Sequence, residues 1–357
     1  MRIALVWLAA VLAACSSVPQ GSVGDRAAAV ADPFAFSSQA AWRHLQALTL
    51  LGSRQTGSRG AARAREYLRQ RLEDLGVEVE ELTLSVPDLS QNGEPSRVTH
   101  LVGTLSGESS DRILLAASYD TRALPGIDFV GANASASGPA LVLELVRALS
   151  ERPRPYTLVV AFIDGDSLPV ARSGAGFPGS RSLASWFAQE AGGGVANVRL
   201  AVFFQQVADL DLSIARDLRS HSIYREFFWA AAGTLGREIY FPLNANVESV
   251  EAGHLEFIEQ GLRRSVVIAD SRYGGSDIPG RYAGTENDTL ERCSPDSLRV
   301  VGEVVLEALD RISTRLVRID RFHRSPLGDS LGEHGLVPAG VPDSRRPQGA
   351  VEASSPR

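Results

Sequence analysis

Ser118 and Asp120 come directly after the apolar run Ile113-Leu114-Leu115-Ala116-Ala117, and Asp164 and Asp166 directly after Thr157-Leu158-Val159-Val160-Ala161-Phe162-Ile163. Apolar runs of this length read as strands buried on both faces, and in open α/β sheets ligands sit beyond the carboxyl ends of such strands. Carboxylates in that position can act as general bases or bind a metal ion. A serine there can be imagined as a nucleophile, but no Gly-x-Ser-x-Gly turn surrounds Ser118. Six histidines are present, at 44, 100, 221, 254, 323 and 334.

Composition removes several chemistries. All 36 residues counted as Lys+Arg are arginine, which excludes Schiff-base catalysis, pyridoxal attachment and a P-loop lysine. A formal net charge of -6 with dispersed arginines offers no basic stripe, so nucleic acid is not an expected partner. With only Cys15 and Cys293, neither a disulfide framework nor a cysteine-based zinc site can be built.

The elements that must position these residues alternate along the chain. Residues 61–75 carry apolar side chains at helical spacing and stop at Gly76, and residues 77–86 alternate as a strand does. Residues 113–117, 157–163, 200–204 and 265–269 are buried-strand runs; 138–149 and 296–312 read as helices. The expected architecture is α/β: a single domain with a central mixed, mostly parallel sheet and helices on both faces.

The termini read differently. Met1-Arg2 is followed by a twelve-residue apolar run, Ile3 to Ala14, and Leu12-Ala13-Ala14-Cys15 closes it as a lipobox closes a secretory signal. The run is too short to span the roughly 30 Å of bilayer hydrocarbon. The expectation is cleavage before Cys15 and acylation of its thiol, and Ser16 resembles the outer-membrane sorting residue of bacterial lipoproteins. Residues 1–15 are thus expected to be the signal, 16–37 a small, polar, flexible tether, 38–320 the domain and 321–357 a disordered tail. The expected location is the cell envelope, at the periplasmic face of the outer membrane.

Five segments follow one another in order between about Trp42 and Leu309: Gly52 to Ser58 ahead of an amphipathic helix; Ser118-Tyr119-Asp120 with Val130 to Asn133; Phe162 to Asp166 with Gly179 to Ala184; Gly253-His254 with Phe257 and Gly261; and Gly284 to Thr289. Together they resemble the zinc exopeptidase family of bacterial aminopeptidases and glutaminyl cyclases. The family's chemistry rests on imidazole and carboxylate ligands around zinc with an open position for substrate or water. The resemblance places Ser118 where the family has a ligand histidine and Ala134 where it has the bridging aspartate. Ser167 falls on the ligand glutamate, Gln205 on the next aspartate and Gly284 on the last histidine. No zinc ligand survives on this reading.

Around those positions Asp166 matches the family's general base, one methylene shorter, and Asp120 the carboxylate that orients a ligand histidine. Asp164 and Asp288 also match, and both can equally cap turns or helix starts. His254 falls on a family histidine that is usually not a ligand; a structural ring and a proton carrier are its two readings. The expectation is a catalytically inactive homologue with no cofactor, anchored to the membrane at Cys15, that binds a peptide or envelope protein. The alternative is an active metallopeptidase or glutaminyl cyclase with atypical ligands.

Overall fold

In the computed structural model of the chain, residues 32, 35–87, 94–169, 176–189, 194–244 and 246–323 are described. The continuous apolar runs form the centre of a six-stranded sheet. Its strands are β1 (Glu78–Val86), β2 (Ser96–Leu105), β3 (Arg112–Ser118), β4 (Thr157–Ile163) and β5 (Val198–Gln205). The sixth, β8 (Ser265–Ala269), follows two short strands, β6 (Arg216–Asp217) and β7 (Val247–Glu248), which pair separately. The order is β1-β2-β4-β3-β5-β8: β1/β2 and β2/β4 are antiparallel, and β4/β3, β3/β5 and β5/β8 are parallel.

Each central strand feeds two cores, because successive side chains point to opposite faces. On one face Leu115 and Ala117 of β3 meet the helices α1 (Ser38–Leu50), α2 (Arg59–Glu73), α3 (Ser137–Ser150), α5 (Ser222–Thr234) and α7 (Pro295–His323). On the other, Leu114 and Ala116 meet Leu183 and Phe187 of α4 (Pro178–Gln189) and Phe257 of α6 (His254–Glu259). The sheet is therefore mixed and mostly parallel with helices on both faces, as expected.

Several boundaries differ for identifiable reasons. The helix expected at 61–75 begins at Arg59, because the Ser58 side chain caps it by accepting from the Ala61 N–H at 3.1 Å. The expected tether ends before residue 37. Phe36 is buried in the main core, the Ser37 N–H donates to Glu144 at 2.7 Å, and the Ser37 hydroxyl caps α1. At the other end, α7 runs to His323, past the expected domain end at 320. Asp320 secures it, accepting from Tyr156 Oη at 2.8 Å and pairing with Arg199 at 2.9 Å. Cys15 and its apolar run, and everything after His323, lie outside the described residues. No helix among the described residues is long and apolar enough to cross a membrane.

Candidate functional site

Ser118 is the last residue of β3 and Gln205 the last of β5, while Asp166 and Ser167 follow β4. Ala134 lies in a short π-helical turn, Ala132–Ala136, that leads into α3. Such turns recur at functional sites. These strand ends open onto one cavity of about 330 Å³, and Ser118, Ala134, Ser167, Gln205 and Gly284 all line it together with Asp120 and Asp166. Positions far apart in sequence thus converge because parallel strands present their carboxyl ends at one edge of the sheet.

The two serines are turned onto the carboxylates. Ser118 Oγ donates to Asp166 Oδ2 at 2.5 Å, and Ser180, at the start of α4, donates its hydroxyl to the same oxygen and its N–H to Oδ1, both at 2.7 Å. Gly253 packs so closely on Ser180 and Asp166 that a Cβ there would collide with the Ser180 hydroxyl. Ser167 donates its N–H to Asp120 Oδ2 at 2.8 Å and its hydroxyl to the Asp120 carbonyl at 3.1 Å. Asp120 Oδ1, buried, finds no hydrogen-bond partner among the described residues. Burial pushes the Asp166 carboxyl up to about 6, a rise that the serine hydrogen bonds offset only in part. Burial, with the nearby charges of Asp164 and Asp166, holds Asp120 well above the usual carboxylate range.

Asp164, His254 and Asp288 do not line the cavity, although the resemblance grouped them with it. Asp164 is buried behind it, accepting from Thr99 N–H at 2.9 Å and Thr56 Oγ at 2.8 Å. Asp288 caps the π-helical turn from 154 residues away, accepting from Asn133 N–H at 2.7 Å and Ala134 N–H at 3.1 Å. Burial lifts its carboxyl to about 6. The His254 ring is fully buried and lies 3.2 Å from Asp217, the geometry of a structural, hydrogen-bonded histidine.

Four functional positions were not singled out from sequence. Ser180 sat inside a quoted motif, Gly179-Ser180, but its partner is visible only in three dimensions. Arg54, also in a quoted segment, is fully buried, and it donates to the carbonyls of Tyr119 (3.0 Å), Leu48 (3.1 Å) and Gly131 (3.3 Å), tying α1 to the segments that follow β3 and precede the π-helical turn. Gln206 lines the cavity with φ +53, the one positive-φ residue other than glycine among those described; such a conformation costs on the order of 1–3 kcal/mol. Arg122, exposed at the rim, brings its guanidinium to within 3.2 Å of where a Cβ on Gly284 would stand. Gly284 itself has φ +66, a left-handed conformation that suits glycine.

Zinc in a catalytic site takes three imidazole, thiolate or carboxylate ligands at about 2.0–2.3 Å. Here both oxygens of Asp166 are occupied by serine donors and one oxygen of Asp120 by Ser167. The cavity is lined by no histidine or cysteine. Among the described residues no group of three or more His, Cys, Asp or Glu side chains is placed to hold a metal ion. The donor set therefore does not fit zinc.

Comparison with known proteins agrees with the fold. The chain matches peptidase family M28 over residues 100–309. It is 30% identical over 122 residues to a glutaminyl-peptide cyclotransferase of Drosophila melanogaster, a match covering 33% of this chain and 34% of that protein. The chain thus spans about a third of that relative's length. A glutaminyl cyclase from an Acidobacteriales bacterium superposes with TM-score 0.72 and 27% identity over 83% of this chain and 99% of that one. A Zn-dependent exopeptidase from Parabacteroides distasonis shares the fold, with TM-score 0.69 and 20% identity over 79% and 99% of the two chains. With the match spanning more than half of its length and the sheet-edge cavity in the place the fold reserves for ligands, the chain belongs to peptidase family M28.

Proposed function

We propose that this chain is a non-catalytic member of its family, an envelope lipoprotein acylated at Cys15 and held at the periplasmic face of the outer membrane. In this reading its strand-end cavity binds a peptide or protein partner without zinc chemistry. The observation that carries it is the local rearrangement at the vacated positions. The serines at 118 and 167 are bonded to Asp166 and Asp120, and with Ser180 they engage three of the four oxygens of these carboxylates, leaving only Asp120 Oδ1 without a partner among the described residues. A general base must be free to take a proton from its substrate. Asp166 instead accepts three hydrogen bonds from Ser118 and Ser180.

The test is metal analysis of the purified full chain together with assays for hydrolysis of aminoacyl substrates and cyclisation of N-terminal glutamine. The expected outcome is no stoichiometric zinc, no turnover, and a thermal midpoint unmoved by chelator, since only a metal bound to the native state adds stability that chelation removes. Ala134→Asp alone is expected to recover no activity. Stoichiometric zinc, or turnover abolished by chelator, overturns the proposal. Mass spectrometry of the mature chain from cells tests the anchor, which fails if the N-terminus is not an acylated Cys15.

A further inference from the structure

The cavity carries charge of both signs. Asp120, Asp166 and Glu251 are its acidic lining residues, and Arg122 stands at the rim beside Gly284, with no ion pair to a described residue. Asp120 is buried, and its Oδ1 has neither a hydrogen bond nor a counter-ion in contact. A buried carboxylate oxygen left without a partner is costly, and the cost falls when a cation comes to rest nearby. A guanidinium free to turn inward is the complementary half, because its fork of donors matches a carboxylate. The space is small, about 330 Å³, and Gln205, Gln206, Phe129 and Phe177 are among the residues that line it.

We infer that the cavity takes a free α-amino acid as its zwitterion, with the ammonium on Asp120 Oδ1, the one oxygen of the Asp120 and Asp166 carboxylates that the described residues leave unbonded, and the carboxylate on Arg122. This rests on the proposal that the cavity is a ligand site without metal, and it narrows the ligand from a peptide or protein to a single residue. Both charges are needed. A longer peptide carries its carboxylate away from Arg122, and an N-blocked residue leaves Asp120 uncompensated. The volume suits one amino acid better than an extended chain, and the polar groups that fix orientation are few, as in small-molecule sites generally.

Calorimetric titration of the full chain with L-leucine, L-glutamine and L-phenylalanine decides the matter, with the N-acetyl and amide derivatives of each and tetra-alanine as further arms. At least one free amino acid is expected to bind saturably at one site. Its N-acetyl and amide forms are expected to bind about tenfold more weakly or worse, the loss of one charge-assisted hydrogen bond. Arg122→Gln is expected to weaken the free amino acid by about tenfold while leaving its amide unchanged, a coupling that general damage to the cavity does not produce. The exposed position of Arg122 makes that variant tolerable to the fold. Failure of all three amino acids to bind, or an amide that binds as tightly as the acid, overturns the inference. If tetra-alanine binds and the free amino acids do not, this inference fails while the peptide-binding proposal stands. Stoichiometric zinc with turnover removes that proposal, whatever the titrations give.

Discussion

Asp166 and Asp217 each accept three hydrogen bonds, yet they titrate on opposite sides of the ordinary aspartate value. Asp166, in the cavity wall, is served by the hydroxyls of Ser118 and Ser180 and the Ser180 N–H; burial, reinforced by the charge of Glu256, pushes it up to about 6. Asp217, the last residue of β6, is served by His254 at 3.2 Å and by the N–H groups of Val250 (2.9 Å) and Ser220 (2.5 Å). Burial would raise it as well, but these hydrogen bonds and the imidazole hold it at about 2. The number of hydrogen bonds is the same; the partners differ. Hydroxyls satisfy a carboxylate's geometry without neutralising its charge, whereas an imidazole beside a carboxylate can also carry the opposite charge.

The comparison can be broken most sharply at Asp217. Asp217→Ala strands a buried imidazole and two buried N–H groups, and urea denaturation at pH 7 is expected to show a loss of about 3–5 kcal/mol. A loss below about 1 kcal/mol would mean that the low-titrating pair is not a structural anchor.

A pH series gives the next largest effect. Asp166 and Asp288 are raised to about 6 and Asp270 to about 7 from 3.8, so the folded state holds protons that the unfolded state has already released. Stability from these groups is fully present below about pH 4 and is lost as the pH rises through 6 to 7. Asp217 works in the opposite sense. Its contribution is present above pH 3.8 and is lost as the pH falls towards about 2. His44 and His100, which burial lowers to about 4 and 3, oppose the raised carboxylates: their contribution is present above pH 6.5 and is lost as the pH falls. The carboxylate part is therefore read by difference: in Asp166→Asn, which has no proton to lose, unfolding free energy relative to the unaltered chain is expected to rise by about 1–2 kcal/mol between pH 5 and pH 8. A difference that stays constant over that range contradicts the contrast.

The smallest effect sharpens it. Ser118→Ala removes one of three donors to Asp166 and is expected to cost about 1 kcal/mol at pH 8, where the carboxylate is charged, and less at pH 5. The same substitution should move the Asp166 titration, followed by NMR, further upward, because the Ser118 hydrogen bond is one of the influences holding it down. A downward shift would show that the serine does not stabilise the charged form.

Much of the scaffold was legible in the sequence because β3, β4, β5 and β8 are buried on both faces and so read as uninterrupted apolar runs. β2 was not, since Thr99, His100 and Gly103 break its pattern. His100 is nonetheless buried: its Nδ1 accepts from the Asp164 N–H at 3.2 Å, and burial lowers the ring to about 3. That Ser118, Ser167 and Gln205 line the cavity was legible from their place at strand ends, whereas Ala134 and Gly284 were placed with them only by the family resemblance. The roles of Ser180, Arg54 and Arg122 were not, because each depends on a partner 14 or more residues away or on the shape of a rim. Asp288 shows the limit in another way. Capping was one of its two readings, but the helix start it caps belongs to residues 132–136, and no local pattern points there.

Gly284 carries a consequence for mutation. Any side chain placed here would have to adopt a left-handed backbone that residues with a Cβ rarely tolerate, and its first carbon would meet the Arg122 guanidinium at 3.2 Å. The position works as a one-way valve for substitution: a change away from glycine meets strain at once, and a variant given a metal-binding side chain at 284 must first rebuild the turn around it.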